Sequence, residues 1–166
     1  MTSVPWLERS IEQARLLNPA FLAALIWSCV KGYNSMSRQG MPYPLLFVAI
    51  PIILHKSTRE NLPNKISKSL ATWIGEHPNV HIHFVERAIS LVPLVKEGII
   101  FGVSGQLLQI SSSQILLGEA PISINRFLRD SSDEVRDCMK KANFVGKWFA
   151  SSGEYTTVMA FWGVTP

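Results

Sequence analysis

The feature that most constrains the fold is the stretch KEGIIFGVSGQLLQISSSQILLG at residues 96–118. A helix-compatible apolar run ends at Gly105, and two short β-prone pieces, residues 107–110 and 114–117, flank three serines. Aliphatic side chains alternate with glutamines in both pieces, and the serines offer a turn of about three residues, so a β-hairpin is predicted. A helix followed directly by a hairpin is the chain order of a winged helix, which either holds DNA or docks onto other proteins.

Proline, glycine and capping residues mark the helices that precede this stretch. Asn18 followed by proline predicts a helix over residues 20–33, which Gly32 is expected to end. Residues 42–54, PYPLLFVAIPIIL, are strongly apolar. A membrane-spanning helix needs about 20 such residues, so we interpret this run as a buried core helix with Pro51 as a kink.

Two more helices are expected before the hairpin. Residues 66–74 place Ile66, Trp73 and other apolar side chains on one face of an amphipathic helix. Asn79 is the expected cap of the next helix. Proline inside a helix costs about 3 kcal/mol, so Pro93 predicts a kink or the start of a second helical piece.

The last third of the sequence is also predicted to be helical. Ser132 precedes Asp133 and Glu134, which suit the first turn of a helix. The closing segment, residues 156–166, is expected to form a short helix that Gly163 ends.

These elements predict a mainly α fold with a small β-hairpin, arranged as a winged-helix-like helical domain. We expect a single domain over residues 1–166. Within it, residues 1–40 are expected to form an N-terminal helical extension, residues 41–120 a winged-helix-like core and residues 121–166 the C-terminal helices.

Composition and charge leave two kinds of surface open. Charged residues make up 17% of the chain, below the average of about 25% for soluble domains, which indicates either a dense core or a surface that a partner covers. The net charge of +4 permits nucleic-acid contact without requiring it. The densest basic patch is either a solvated surface or a contact for a phosphate or an acidic partner, and its members are Lys56, Arg59, Lys65 and Lys68.

Motifs for catalysis, cofactors and metals are missing from the sequence. No phosphate-binding glycine loop or zinc-protease motif occurs, and Ser104 lies in helix-then-strand order, unlike a nucleophile elbow. His81 and His83 are two apart near a predicted helix start, which does not suit a shared metal ion. Cys29 and Cys138 are interpreted as buried thiols of a reducing cytoplasm. We therefore expect no enzyme activity, cofactor, metal, signal peptide or membrane span.

Three segments resemble the middle component of three-component ABC systems: LLNPAFLAALIWSCVKGY, MPYPLLFVAIPIILHKSTRENLPNKISKSLATWIGEHP and FVGKWFASSGEYTTVMAFWGVTP. The resemblance covers residues 16–166. It implies a non-catalytic subunit that links an SMC- or Rad50-like ATPase to an effector nuclease, in a Lamassu-type system that defends bacteria against phage and plasmids.

The helix before the hairpin bears on how such a subunit would bind. Its polar residues mix acids and bases, namely Glu86, Arg87, Ser90, Lys96 and Glu97. A groove-reading helix would have a basic face with amide side chains, so protein docking is favoured, with weak nonspecific DNA contact left to the basic patch. A stand-alone winged-helix DNA-binding regulator is the alternative, and an enzyme with an unrecognised site is a third hypothesis.

Overall fold

The computed structural model describes residues 17–120 and 124–165, with the side chains of residues 124 and 125 left aside. The first part of the predicted N-terminal extension, residues 1–16, lies outside the described residues. Eleven elements are labelled here in chain order: α1 (Pro19–Met36), β1 (Met41–Pro42), α2 (Leu46–Leu54), α3 (Lys56–Glu60), α4 (Leu70–Glu76), α5 (Phe84–Ser104), β2 (Leu108–Ser111), β3 (Gln114–Leu117), α6 (Ile124–Arg129), α7 (Asp133–Ala150) and α8 (Tyr155–Phe161). The prediction of a mainly helical fold with a small β-hairpin is confirmed.

The hairpin of β2 and β3 follows α5 directly, as the sequence predicts. Its turn consists of two residues, Ser112 and Ser113, with φ values of 48° and 63°. Two successive positive φ values are those of a type I′ turn, which matches the twist of paired strands. A third strand, β1, which no sequence pattern predicts, pairs with β3 through Met41 and Ile115 and gives the antiparallel order β1-β3-β2.

Helix α1 begins where the sequence predicts but ends later. The side chain of Asn18 accepts a hydrogen bond from the backbone N–H of Ala20 at 2.8 Å, so the predicted cap is confirmed. The prediction that Gly32 ends the helix is wrong, because α1 continues to Met36. Most of its residues are buried, and α1 packs against both α5 and α7 at the centre of the core rather than as an extension of it.

Glycines allow α1 and α7 to come into backbone contact. A Cβ atom added to Gly32 would lie 2.0 Å from the carbonyl oxygen of Asn143, and one added to Gly146 would lie 2.0 Å from the carbonyl oxygen of Cys29. Any larger side chain at either position would force the helices apart. Gly32 is therefore a packing residue and not a helix terminator.

Helix α2 is the buried core helix that the run at residues 42–54 predicts. Its apolar residues from Leu46 to Ile53 are buried apart from the half-buried Phe47, and Pro51 lies within the helix. No helix in residues 17–120 and 124–165 has both the length and the apolarity needed to cross a membrane.

Helix α4 is shorter than predicted. It starts at Leu70, where the hydroxyl of Ser69 accepts a hydrogen bond from the N–H of Thr72 at 3.1 Å, so Ile66 lies outside the helix. Trp73 is fully buried, as its place on the apolar face predicts, and packs edge-to-face on Trp148 with ring centroids 5.4 Å apart. Capping at Ser69 explains why the helix does not extend back to Ile66.

Helix α5 differs from its prediction at both proposed breaks. Asn79 lies in a short 3-10 turn and does not cap α5, which begins at Phe84 after His83 with a φ of 55°. The helix also continues through Pro93, so a fresh start there is wrong. The proline removes the hydrogen bond to the carbonyl of Ile89, a residue on the exposed part of the helix.

Two predicted boundaries of the C-terminal helices are confirmed, the start at Ser132 and the stop at Gly163. The hydroxyl of Ser132 accepts a hydrogen bond from the N–H of Val135 at 3.3 Å at the start of α7. After α8, Gly163 has a φ of 69°, and the N–H of Val164 donates to the carbonyl of Met159 at 3.1 Å. This is the left-handed glycine termination that the sequence predicts.

The contact between α1 and α7 predicts a large cost for a single methyl group. We expect Gly146→Ala to destabilise the protein by about 3 kcal/mol or more, because the new Cβ meets the backbone of α1 and cannot be avoided by a side-chain rotation. Gly75→Ala is the matched control, since a Cβ at this exposed helical position has no neighbour within 4 Å. It should stabilise by about 0.5 to 1 kcal/mol. Denaturant unfolding measures both, and equal effects would contradict the proposed backbone contact.

Candidate partner interface

The members of the basic patch predicted from the sequence differ in exposure and in ion pairing. Lys56 is exposed and its ammonium lies 3.9 Å from the carboxylate of Glu60, while Lys65 is exposed without an ion pair among the described residues. The ammonium of Lys68 is paired with the carboxylate of Glu76. The role of these three lysines in partner binding stays a prediction.

Arg59 is not part of any exposed patch. Its side chain is 2% exposed, with Nε donating to the carboxylate of Asp137 at 2.8 Å and Nη2 donating to that of Glu134 at 3.1 Å. Nη1 donates to the carbonyl oxygen of Ile53 at 2.8 Å, in the last turn of α2. The assignment of Arg59 to a partner contact is therefore corrected, because all three guanidinium nitrogens already bind within the chain.

The electrostatics around Arg59 agree with a structural role. Burial lowers its pKa, but hydrogen bonds to Asp137 and Glu134 outweigh burial, and the net shift is upward. A buried guanidinium is tolerated only where such acceptors surround it. Arg59 thus joins the end of α2 to the first turns of α7.

A candidate partner surface lies instead on α5. Phe84, Ala88, Val95 and Ile99 face the core from this helix. On the neighbouring side of the helix, four aliphatic residues are exposed and a fifth, Val92, is half-buried. The relative exposures of the four are 39% for Val85, 61% for Ile89, 65% for Ile100 and 38% for Val103. We call this set the apolar stripe: Val85, Ile89, Val92, Ile100 and Val103.

The apolar stripe runs along the whole helix. Its members are four, three, eight and three residues apart, which keeps them on one side of α5. The exposed Lys96 lies on the same side, between Val92 and Ile100. At 1.5 Å per residue its ends are about 27 Å apart. Single exposed aliphatic residues are ordinary on a protein surface, but several of them along one side of a helix are typical of a surface that binds another protein.

Comparison with known proteins shows which family the chain belongs to. The family model of the ABC-three component (ABC-3C) system Middle Component 3 matches residues 6–166. The chain belongs to this family. Among curated proteins and among solved structures, no match is found. The expectation of an ABC-3C middle component, based on resemblance, is thereby confirmed.

One charged group on α5 of this middle component, the guanidinium of Arg87, is at most partly hydrogen-bonded within the described residues. The guanidinium of Arg87 lies over the ring of Phe84, 5.7 Å from its centroid, and burial lowers its pKa. Its Nε and Nη2 atoms have no hydrogen-bond acceptor in the described part of the chain. A buried donor without an acceptor is costly, so the burial of these two nitrogens is unfavourable for folding.

The histidines and cysteines of the middle component are held apart from one another. His81 packs on Trp162, with ring centroids 5.8 Å apart, while His83 is exposed beside Glu86. Across residues 17–120 and 124–165 no three histidine, cysteine or acidic side chains are grouped as metal ligands. Burial raises the pKa of Cys29 to about 12, which keeps this thiol protonated and unreactive.

The sequence contains a signal for the apolar stripe. The apolar residues in the first half of α5 lie on one broad face of the helix: Phe84, Val85, Ala88, Ile89 and Val92. A helix that buries one side needs an apolar arc of somewhat more than about 100°, whereas the apolar residues of α5 cover roughly half of its circumference. The excess width of this arc indicates a surface that the chain's own core does not cover.

The position of Arg59 generates a stability prediction. Arg59→Met should destabilise the protein by about 2 to 3 kcal/mol, because the carbonyl of Ile53 and two carboxylates lose a charged donor. Lys56→Met, which removes an exposed positive charge from the same short helix, should change stability by less than about 0.5 kcal/mol. Denaturant unfolding of both variants provides the comparison. A negligible cost for Arg59→Met would contradict the structural role.

Proposed function

We propose that this middle component is a non-catalytic accessory subunit that links an SMC- or Rad50-like ABC ATPase to an effector nuclease. The complex would be a cytoplasmic, Lamassu-type system that defends bacteria against phage or plasmids, and it would contact DNA weakly and without sequence preference. Membership of the ABC-3C family supports the assembly, and the apolar stripe of α5 is the observation that carries the docking role.

The chemistry of the apolar stripe favours protein over DNA as its partner. Reading base edges in the major groove requires hydrogen-bonding side chains such as arginine, asparagine and glutamine. Five of the nine exposed residues of α5 are apolar, and Glu86 beside them would repel phosphates. An aliphatic row on a helix suits the groove or helix of another protein, as in other helix-mediated interfaces.

The position of α5 in the fold fits the same proposal. The order of α5, β2 and β3, with β1 paired beside β3, supports a winged-helix-like arrangement in which α5 occupies the place of a recognition helix. A winged helix whose exposed helix is aliphatic is better suited to docking than to sequence readout. This argument disfavours the stand-alone DNA-binding regulator.

Charge placed on the apolar stripe should separate docking from folding. We expect Ile89→Glu combined with Ile100→Glu to weaken binding to the ATPase or nuclease component at least tenfold, about 1.4 kcal/mol, because two carboxylates would be desolvated at the interface. Both side chains are exposed, so the unfolding midpoint should stay close to that of the unmodified chain. Titration of the purified components measures the affinity.

A matched control places the same charges elsewhere. Thr156→Glu with Ala160→Glu adds two carboxylates at exposed positions of α8, four residues apart. This variant should bind like the unmodified chain. If the unmodified chain binds neither component, the proposed function is wrong. If both double variants bind normally, the docking surface is not α5.

A further inference from the structure

The outer side of α7 has a row of basic residues that the sequence analysis did not single out. Arg136, Lys140, Asn143 and Lys147 follow one another at spacings of four, three and four residues, so they share one side of the helix. The residues that α7 buries, from Cys138 to Phe149, lie on its other side. The row spans about 16 Å along the helix axis.

A lysine from α1 extends this row sideways. Because α1 and α7 are in backbone contact at their glycines, Lys31 lies beside Lys140 and Arg136 around a small cavity of about 180 Å³. Trp27 and Asn143 also line the cavity. The ammonium of Lys31 lies 5.0 Å from the centre of the Trp27 ring, which holds the charge at the cavity edge. We call Lys31, Arg136, Lys140 and Lys147 the basic stripe.

Most of the charge in the basic stripe is uncompensated. Arg136 is fixed by an ion pair to Asp133 at 2.6 Å and by a hydrogen bond to the carbonyl of Leu128 at 2.9 Å. Lys31, Lys140 and Lys147 have no ion pair in residues 17–120 and 124–165. In the predicted patch, by contrast, Lys56 and Lys68 each have a carboxylate partner. Neighbouring cations without counter-charges favour an external anion.

We infer that the basic stripe binds the phosphodiester backbone of nucleic acid without reading its sequence. A single carboxylate would engage one lysine, whereas a row of about 16 Å matches the length of about five base pairs of duplex, which carry a phosphate on each strand at every step. Lysines supply charge and flexible reach rather than base-edge discrimination. The inference deepens the proposed function, on which it rests, by locating the DNA contact of the complex on α1 and α7.

The test compares two sets of three lysines. Lys31→Gln, Lys140→Gln and Lys147→Gln together remove the basic stripe, while Lys56→Gln, Lys65→Gln and Lys68→Gln together remove the same charge from the patch predicted by sequence. The probe is a fluorescently labelled DNA duplex of mixed sequence. Its affinity for the full chain, alone and assembled with the ATPase component, is measured by anisotropy over a range of salt concentrations.

The stripe variant should bind the duplex roughly tenfold or more weakly at low salt, and its slope of log affinity against log salt should fall in magnitude by about 2 to 3. The patch variant should change that slope by less than about 1. Replacement of the three stripe lysines by arginine should retain binding, because the positive charge is kept. Unchanged unfolding midpoints establish that each variant is folded.

Three results would overturn the inference. One is an equal or larger loss of DNA affinity in the patch variant, and another is unchanged affinity in the stripe variant. The third is loss of the ATPase component from the stripe variant without DNA, which would make the stripe a protein contact. Failure of the unmodified chain to assemble with the ATPase would refute the proposed function instead, and binding of DNA by the chain alone would still test the stripe.

Discussion

Backbone contact between α1 and α7 is the constraint on which the rest of the fold depends. Gly32 and Gly146 let the two helices approach closely. A Cβ atom added to either glycine would lie 2.0 Å from a carbonyl oxygen of the other helix. Such an approach leaves no room between the helices for side chains, so the chain builds its core around this pair. It also fixes Lys31 of α1 beside the outer residues of α7. The same contact therefore determines the core and one of the two candidate binding surfaces.

Helix α5 also packs closely against its neighbours at glycine positions. A Cβ at Gly98 would lie 2.7 Å from that of Leu22 on α1, and one at Gly102 would lie 2.6 Å from the side chain of Leu108 on β2. These glycines bring one side of α5 close to the core and to the hairpin. The apolar arc of α5 is wider than that contact, which leaves the apolar stripe uncovered and available to another protein.

Local signals in the sequence predicted much of the fold, because they depend on neighbouring residues only. The caps at Asn18 and Ser132 and the stop at Gly163 were of this kind, and so were the hairpin and the buried run of α2. The failures at Gly32 and Arg59 arose where tertiary contacts outweigh local preference. Gly32 was interpreted as a terminator because its partner, Asn143, is more than a hundred residues away in sequence. Arg59 was counted as a surface charge because its acceptors lie on α7.

The difference between local signals and tertiary contacts also explains why the basic patch and the basic stripe consist of different residues. Counting charges along the sequence groups lysines that are close in the chain, and the folded protein then pairs several of them with nearby acids, as with Lys56 and Glu60. The basic stripe draws Lys31 from one helix and Lys140 from another, so no window of sequence contains it. Its charges stay unpaired because acidic residues of α7 are used elsewhere: Asp137 and Glu134 bind Arg59, and Asp133 binds Arg136. The buried Arg59 thus engages two of the three carboxylates of α7, which leaves the stripe lysines without an ion pair on that helix.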